Sequence, residues 1–187
     1  TLVGNLMHQR PECVFSISAT TRPPRPSERD GVDYQFLTRE EFERRRDAGE
    51  FLEWAEVHGK LYGTPARPVE EHVRAGRVVV LDIDVQGGAS VRRTRPDAVS
   101  VFVYPPSLEV LRERLASRGT EMPEELERRM RNAPGELARY VEYDYLVIND
   151  DLESASARLL AIFDGERARV RRLRPVPSSH MTRKEQP

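Results

Sequence analysis

Apolar positions along the chain recur at helical spacing in some stretches and alternate in others. Leu2, Val3 and Leu6 share a face over Thr1–Gln9, the pattern of a helix interior whose beginning is missing, and Val14, Phe15 and Ile17 follow as a β-prone run. Tyr34 to Leu37 alternates as a short strand. Thr38 and Glu41 have capping-box spacing for a helix through Phe42 to Ala48, which Gly49 closes. Phe51 to Val57 places Phe51, Leu52, Trp54, Ala55 and Val57 around Glu53 and Glu56. His58-Gly59-Lys60 then turns the chain toward Leu61-Tyr62-Gly63, which predicts a small, mostly antiparallel patch. Pro68 is expected to open a polar helix to Ala75, stopped by Gly76. Val78 to Asp84 reads as a strand buried on both faces of a parallel sheet, its terminal carboxylates facing a ligand crevice.

Beyond it, Gln86-Gly87-Gly88 turns into a short helix, Val99 to Val103 makes a strand, and Ser107 caps a helix carrying Leu108, Leu111 and Leu115. The charged stretch Arg118 to Arg139 is helical in propensity. Tyr145 to Ile148 forms a last strand, and Asp151 caps a helix through Leu159, Leu160, Ile162 and Phe163. The alternation of strands and helices predicts an α/β fold, with a disordered Pro-, Ser- and Arg-rich tail from about residue 171 and no internal repeat.

Composition changes this picture little. At 187 residues the chain fits one domain or a core with small inserted subdomains. A net charge of -1 over 33% charged residues gives no global pull toward nucleic acid or a membrane, so partners must be sought locally. The longest apolar run, Val78 to Leu81, is too short to span a bilayer, no basic and apolar leader is present, and a cytoplasmic protein is expected. Cys13 is the single cysteine, which excludes an intrachain disulfide and fits a reducing compartment. His8, His58, His72 and His180 lack the spacing of a structural zinc site.

Candidate chemistry concentrates in residues 16–34. Arg22 and Arg25 stand among Pro23, Pro24 and Pro26, which fix the backbone around two planar donor forks suited to a phosphate monoester; a solvated Pro-rich turn explains the same residues equally well. Glu53, flanked by apolar residues, is either a pocket-wall carboxylate able to accept two parallel N–H bonds from a guanine edge or, as pattern alone favours, a residue on an exposed face. Tyr34 and Tyr62 offer hydroxyls to a phosphate or simply pack, and Thr64 adds another hydroxyl. Asp82 and Asp84, one residue apart on a predicted strand, point the same way, suiting a magnesium water shell or a ligand amine; the alternative is a capping and turn pair. Among Arg118, Arg128, Arg129 and Arg131, most are solvated on this reading while one or two close over a transferring phosphoryl group. Arg167, Arg169, Arg171, Arg172 and Arg174 read as a solvated helix end.

Several of these segments also resemble, in order, the signature blocks of the guanylate kinase family. They are Ser-Ile-Ser-Ala-Thr-Thr-Arg-Pro-Pro-Arg-Pro followed by Glu-Arg-Asp-Gly-Val-Asp-Tyr, then Glu-Phe-Leu-Glu-Trp-Ala, Tyr-Gly-Thr-Pro, Leu-Asp-Ile-Asp-Val-Gln-Gly, Arg-Gly-Thr-Glu and Val-Ile-Asn-Asp-Asp. The resemblance runs from Thr1 to about Phe163. It implies a P-loop kinase core with a parallel sheet flanked by helices (1–15, 77–117 and 136–170), a small mixed α/β GMP-binding subdomain (16–76) and a helical lid (118–135), with 171–187 as the tail. The implied reaction moves the γ-phosphoryl of ATP onto GMP with Mg2+, giving ADP and GDP. By motif, Ser18, Arg22, Arg25 and Tyr34 would hold the GMP phosphate with Tyr62 assisting; Glu53, Thr64 and Asp84 would read guanine; and Asp82 would lie near magnesium. Arg118 and Arg129 match lid arginines that contact phosphates, and Asn149 a position beside adenine. Thr64 stands where many members have serine.

The family's first strand, Gly-rich phosphate loop and lysine precede the point at which this sequence starts, since Thr1-Leu2 resembles the residues after that lysine. A truncated enzyme is the favoured reading of this departure, with weak kinase activity and a less stable fold expected of the segment alone. Two rivals stand beside catalysis: a kinase-like module that binds phosphorylated peptides, and a kinase for another nucleoside monophosphate. No nucleic-acid or membrane partner is expected, and the oligomeric state is left open.

Overall fold

The computed structural model describes residues 1–117, 123–169 and 172. Helix α1 (Leu2–Gln9) buries Leu2 and Leu6, as the spacing predicts, and leads into β1 (Cys13–Phe15). Then come β2 (Ala19–Thr20), β3 (Gln35–Phe36), α2 (Arg39–Asp47), the long hairpin β4 (Phe51–Val57) and β5 (Lys60–Pro65), α3 (Ala66–Arg74) and β6 (Val78–Val80). Next are α4 (Val85–Thr94), β7 (Val101–Tyr104), α5 (Leu108–Ser117), α6 (Pro123–Leu137), a 3-10 turn (Ala138–Glu142), β8 (Tyr145–Ile148) and α7 (Leu152–Arg167).

The strands form three groups. A four-stranded mixed sheet runs β3-β2-β5-β4, with β2–β3 parallel and the other pairs antiparallel; β1–β6 and β7–β8 are separate parallel pairs. The mixed sheet therefore matches the predicted patch. Its core is Ala19, Phe42 and Leu61, each at most 1% exposed, with Phe51 stacked on Phe42 at 4.5 Å. A second core joins Leu2, Val147 and Ala155, so α1, β8 and α7 pack together. Polar contacts repeat that pairing: Asn5 Nδ2 donates to Ser156 Oγ at 3.0 Å, and Arg10 Nε to Asp164 at 2.9 Å.

Local chemistry explains the boundaries. Thr38 Oγ1 accepts from the Glu41 N–H at 3.1 Å, but the other half of the capping box is not used, because Arg44 and Arg45 take the Glu41 carboxylate. Helix α2 ends in a Schellman closure: Gly49, with φ 71°, donates to Arg46 and Glu50 donates to Arg45. Gly76 (φ 76°) ends α3 in the same manner. Ser107 and Asp151 cap α5 and α7 as expected.

Three expectations are corrected. Helix α3 starts at Ala66, so Pro68 sits third in the helix rather than first, where its missing N–H still costs no intrahelical bond. The strand expected over 78–84 stops at Val80 and its valines are half-buried: among the described residues β6 pairs only with β1, and the Ser16 N–H takes the Val80 carbonyl at the end of that ladder. Asp82 and Asp84 consequently lie off the strand, and Asp84 caps α4, accepting from the Gly87 N–H at 2.9 Å. Finally, Arg167, Arg169 and Arg172 do more than solvate a helix end: Arg167 pairs with Glu12, while Arg169 and Arg172 pair with the buried Glu166. The expectations for Arg171, Arg174 and His180 lie outside the described residues.

Candidate functional site

A cleft of about 320 Å³ opens between the mixed sheet, the segment after β6 and α6. Ser18, Arg22, Arg25, Tyr34, Glu53, Tyr62, Asp82, Asp84 and Arg129 line it, with Ala55, Val57, Gly63 and Ile83 between them. Most of the residues picked out from sequence thus meet in one place although they span more than a hundred positions.

The arginine loop is braced from within. Glu28 accepts from Arg22 Nη2 at 2.8 Å and from the Arg25 backbone N–H at 2.7 Å, and its pKa is lowered chiefly by the Arg22 bond. The Arg22 guanidinium also lies 5.4 Å from the Tyr34 ring and 5.8 Å from the Phe36 ring, so cation–π contacts hold it from the other side. Tyr34 itself stands edge-on to Tyr62 at 6.3 Å; burial, then Tyr62 and Asp82, raise its pKa and keep it a hydroxyl donor. Sequence reading missed Glu28, although an acid three residues after one arginine and six after another is a legible brace.

The same cleft carries a buried carboxylate. The strand period sends Glu53 inward with Ala55 and turns Trp54 out, where Arg46 covers its ring at 5.2 Å. Glu53 is 5% exposed, which overturns the expectation of an exposed face. Thr64 lies directly across the hairpin, fully buried, and its hydroxyl donates to Glu53 Oε1 at 2.5 Å. Desolvation raises the Glu53 pKa above its ordinary 4.5, opposed by the Thr64 bond and reinforced by the nearby Asp84 charge. Thr64 thus orients the carboxylate from behind and is not itself part of the lining. Helix α4 abuts the pair: a Cβ on Gly87 would come within 2.5 Å of Glu53 Oε2, so only glycine lets the helix start this close. Gln86 Nε2 reaches the Glu56 carbonyl at 3.3 Å and Asp84 at 3.4 Å, docking the same helix end on β4.

Of the remaining expected site residues, Asn149 ends β8, its N–H donating to the Tyr104 carbonyl at 2.8 Å, and is not in the lining; Arg118 lies outside the described residues. Among the described residues, no group of three or more His, Cys, Asp or Glu side chains is placed to hold a metal ion, and no helix is long and apolar enough to cross a membrane.

Two arginine forks and two tyrosine hydroxyls share this cleft with a buried carboxylate, a set that fits a ligand carrying both an anionic group and N–H donors. An α/β protein with such a cleft belongs to the class that binds nucleoside phosphates. Known proteins agree. The guanylate kinase family model matches residues 1–166. A guanylate kinase of Symbiobacterium thermophilum is 54% identical over 170 residues, covering 91% of this chain and 81% of that protein, and one of Thermotoga maritima is 48% identical, covering 92% and 83%. The crystal structure of guanylate kinase from Anaplasma phagocytophilum superposes with a TM-score of 0.79 at 35% identity, over 91% of this chain and 84% of that one. The chain belongs to the guanylate kinase family.

Proposed function

We propose that the protein transfers the γ-phosphoryl of ATP to GMP, and that the cleft is its GMP site. The observation that carries this reading is the Glu53–Thr64 pair, a buried carboxylate fixed by a hydroxyl in the same cleft as two arginines. Ionised Glu53 accepts two N–H bonds from guanine, an arrangement adenine cannot match, and Asp84 adds an acceptor alongside. Ser18, Arg22, Arg25 and Tyr34 hold the GMP phosphate, with Tyr62 assisting. Because that phosphate is already a dianion near neutral pH, its oxygen attacks the γ-phosphorus with no proton to remove; the bond to the bridging oxygen of ADP breaks and carries the electron pair away. What the chain supplies is alignment and charge neutralisation, the latter from Arg129 and, on the same reading, Arg118.

Magnesium fits this site as a guest of the phosphates. Mg2+ keeps several waters and takes few protein carboxylates, and Asp82, in the lining beside Tyr34, is the residue to hold it through water. When bound, the ion neutralises phosphate charge. Asn149 is assigned to the adenine side of ATP. Residues 16–76 form the GMP-binding subdomain and 118–135 the lid, and the cytoplasm, where both nucleotides are made and used, is the compartment.

Calorimetric titration with GMP, AMP and a phosphoserine peptide tests the reading. GMP should bind at least about tenfold more tightly than AMP, and Glu53→Gln should weaken GMP by about 10²–10³-fold with the melting temperature maintained. Peptide binding without GMP binding would replace the kinase by a phosphopeptide module, and equal affinity for AMP would remove the guanine assignment.

A further inference from the structure

The tip of the β4–β5 hairpin touches the cleft's cover through a contact that the transfer reaction does not itself require. His58 and Gly59 form the two-residue turn in left-handed conformations, φ 53° and 78°, and His58 is the only non-glycine residue with positive φ among the described residues. Such a turn matches the twist of the strands it joins and favours Asn-Gly or Asp-Gly, so histidine holds a position that other residues fill more easily. Its carbonyl accepts a hydrogen bond at 3.1 Å from Nη2 of Arg128, on α6 and seventy residues further along the chain. Arg128 is otherwise weakly tied. Glu125 is 4.0 Å away, and the Arg128 Nε–H is shielded from water with no acceptor among the described residues. The imidazole of His58 also feels this helix: burial lowers its pKa first, and the charges of Arg129 and Arg128 lower it further.

Helix α6 is anchored differently at its other end. Pro134 lies inside the helix and has no N–H to give the preceding turn, and Gly135 after it has nothing within 4 Å of where a Cβ would stand. The helix then passes into the 3-10 turn 138–142, where Glu142 accepts from Arg139 at 2.9 Å and from Arg92 of α4 at 2.7 Å. The 3-10 turn that follows α6 is thus tied to α4, the half of α6 carrying Arg128 and Arg129 meets the hairpin, and Pro134 interrupts the backbone hydrogen-bond ladder between them.

We propose that Arg128 is a positioning residue: its hydrogen bond to the His58 carbonyl latches the N-terminal half of α6 to the hairpin tip and so keeps Arg129 against the cleft. The role rests on reading Arg129 as a phosphate ligand, while the latch itself is a property of the ligand-free chain. A side chain at 128 that keeps the aliphatic stem but has no donor releases this half about the Pro134–Gly135 joint; one that restores a donor holds it.

Amide hydrogen exchange of the whole chain, with and without GMP, tests this in wild type, Arg128→Met and Arg128→Lys. In Arg128→Met, peptides from residues 123–133 should exchange about tenfold faster, with the melting temperature and the exchange of β4, β5 and α7 unchanged, whereas Arg128→Lys should lie close to wild type. GMP affinity should change by less than about threefold, since the acceptor's own ligands are intact. Unchanged exchange over 123–133 in Arg128→Met overturns the proposal; so does acceleration across the whole chain with a lower melting temperature, which marks Arg128 as a general stabiliser. A wild type that binds no GMP overturns the kinase reading alone, because the comparison without nucleotide still decides the latch.

Discussion

The mixed sheet and the two parallel strand pairs solve the same problem, covering apolar strands, with different parts of the chain. The strands and the apolar core of the mixed sheet come from residues 19–65: β2, β3, β4 and β5 pair with one another, and α2 supplies Phe42 to their common core. The parallel pairs depend on distant segments. β1 pairs with β6 across more than sixty residues, and the cover of β8 comes from Leu2 at one end of the sequence and Ala155 in α7. The two regions also finish differently. Leu61 and Phe42 are sealed, whereas Val103, Leu146 and Ile148 on β7–β8 remain 42–45% exposed. Most of the candidate acceptor site sits on the mixed-sheet region; its arginine loop is braced by local contacts, whereas the wall carrying Glu53 also leans on α4 through Gly87 and Gln86.

The sharpest way to break this contrast is to empty each core in turn. Phe42→Ala removes a ring that is 0% exposed and stacked on Phe51, and should cost about 3–5 kcal/mol in urea unfolding, together with GMP binding, because the strand bearing Glu53 loses its backing. Val147→Ala removes a smaller, 1% exposed side chain from the other core and should cost about 2 kcal/mol with GMP affinity intact. Equal losses of GMP affinity in the two variants would show that the site is not locally held.

A narrower test stays within the guanine wall. In Gly87→Ala the new Cβ, 2.5 Å from Glu53 Oε2 and 3.3 Å from Asp84 Oδ1, must push Glu53 or lift the start of α4. Overpacking of this kind costs about 1–3 kcal/mol, and here we expect it as a loss of GMP affinity of about tenfold with AMP binding unaltered. If stability falls while affinity holds, α4 has moved and Glu53 has not.

These contrasts also explain what could be read in advance. The mixed sheet was legible because its signals are short-ranged: a cap at Thr38, glycine stops at Gly49 and Gly76, and a hairpin at His58-Gly59. The length of β6 was not. A run of valines states hydrophobicity but not how many partners a strand has; among the described residues β6 pairs with β1 only, and the strand stops at Val80. Glu53 misled for a related reason. On a two-residue period it shares a face with Ala55, but a carboxylate on the inner face contradicts ordinary patterning, and only the Thr64 hydroxyl directly opposite makes its burial acceptable. That partner is fixed by strand register, which the residues next to Glu53 do not announce. The arginine loop was recognisable as chemistry, yet its choice between surface turn and anion site depended on Tyr34, Tyr62 and Asp82 arriving from other segments.

The smallest effect concerns α2, the helix that gives Phe42 to the mixed sheet's core. Glu41 on α2 accepts from Arg44 and Arg45, each at 2.8 Å, and these bonds pull its pKa from 4.5 down to about 2. A carboxylate with a depressed folded pKa stabilises the fold above its unfolded value; that contribution is present above pH 4.5 and disappears as the pH falls toward 2. Glu53 acts in the opposite sense. Its raised pKa makes the protonated form the better one in the folded chain, so between 4.5 and its shifted value stability increases as the pH falls. Glu41 is about a third exposed, and solvent screening leaves its arginine contacts weak, so Glu41→Gln should lower the urea midpoint at pH 7 by only on the order of 0.2 M, with no difference from wild type near pH 2. The Thr38 cap, which uses the Glu41 backbone N–H, is unaffected by that change. A difference that persists undiminished at pH 2 would mean that Glu41 supports the sheet through packing and not through its charge.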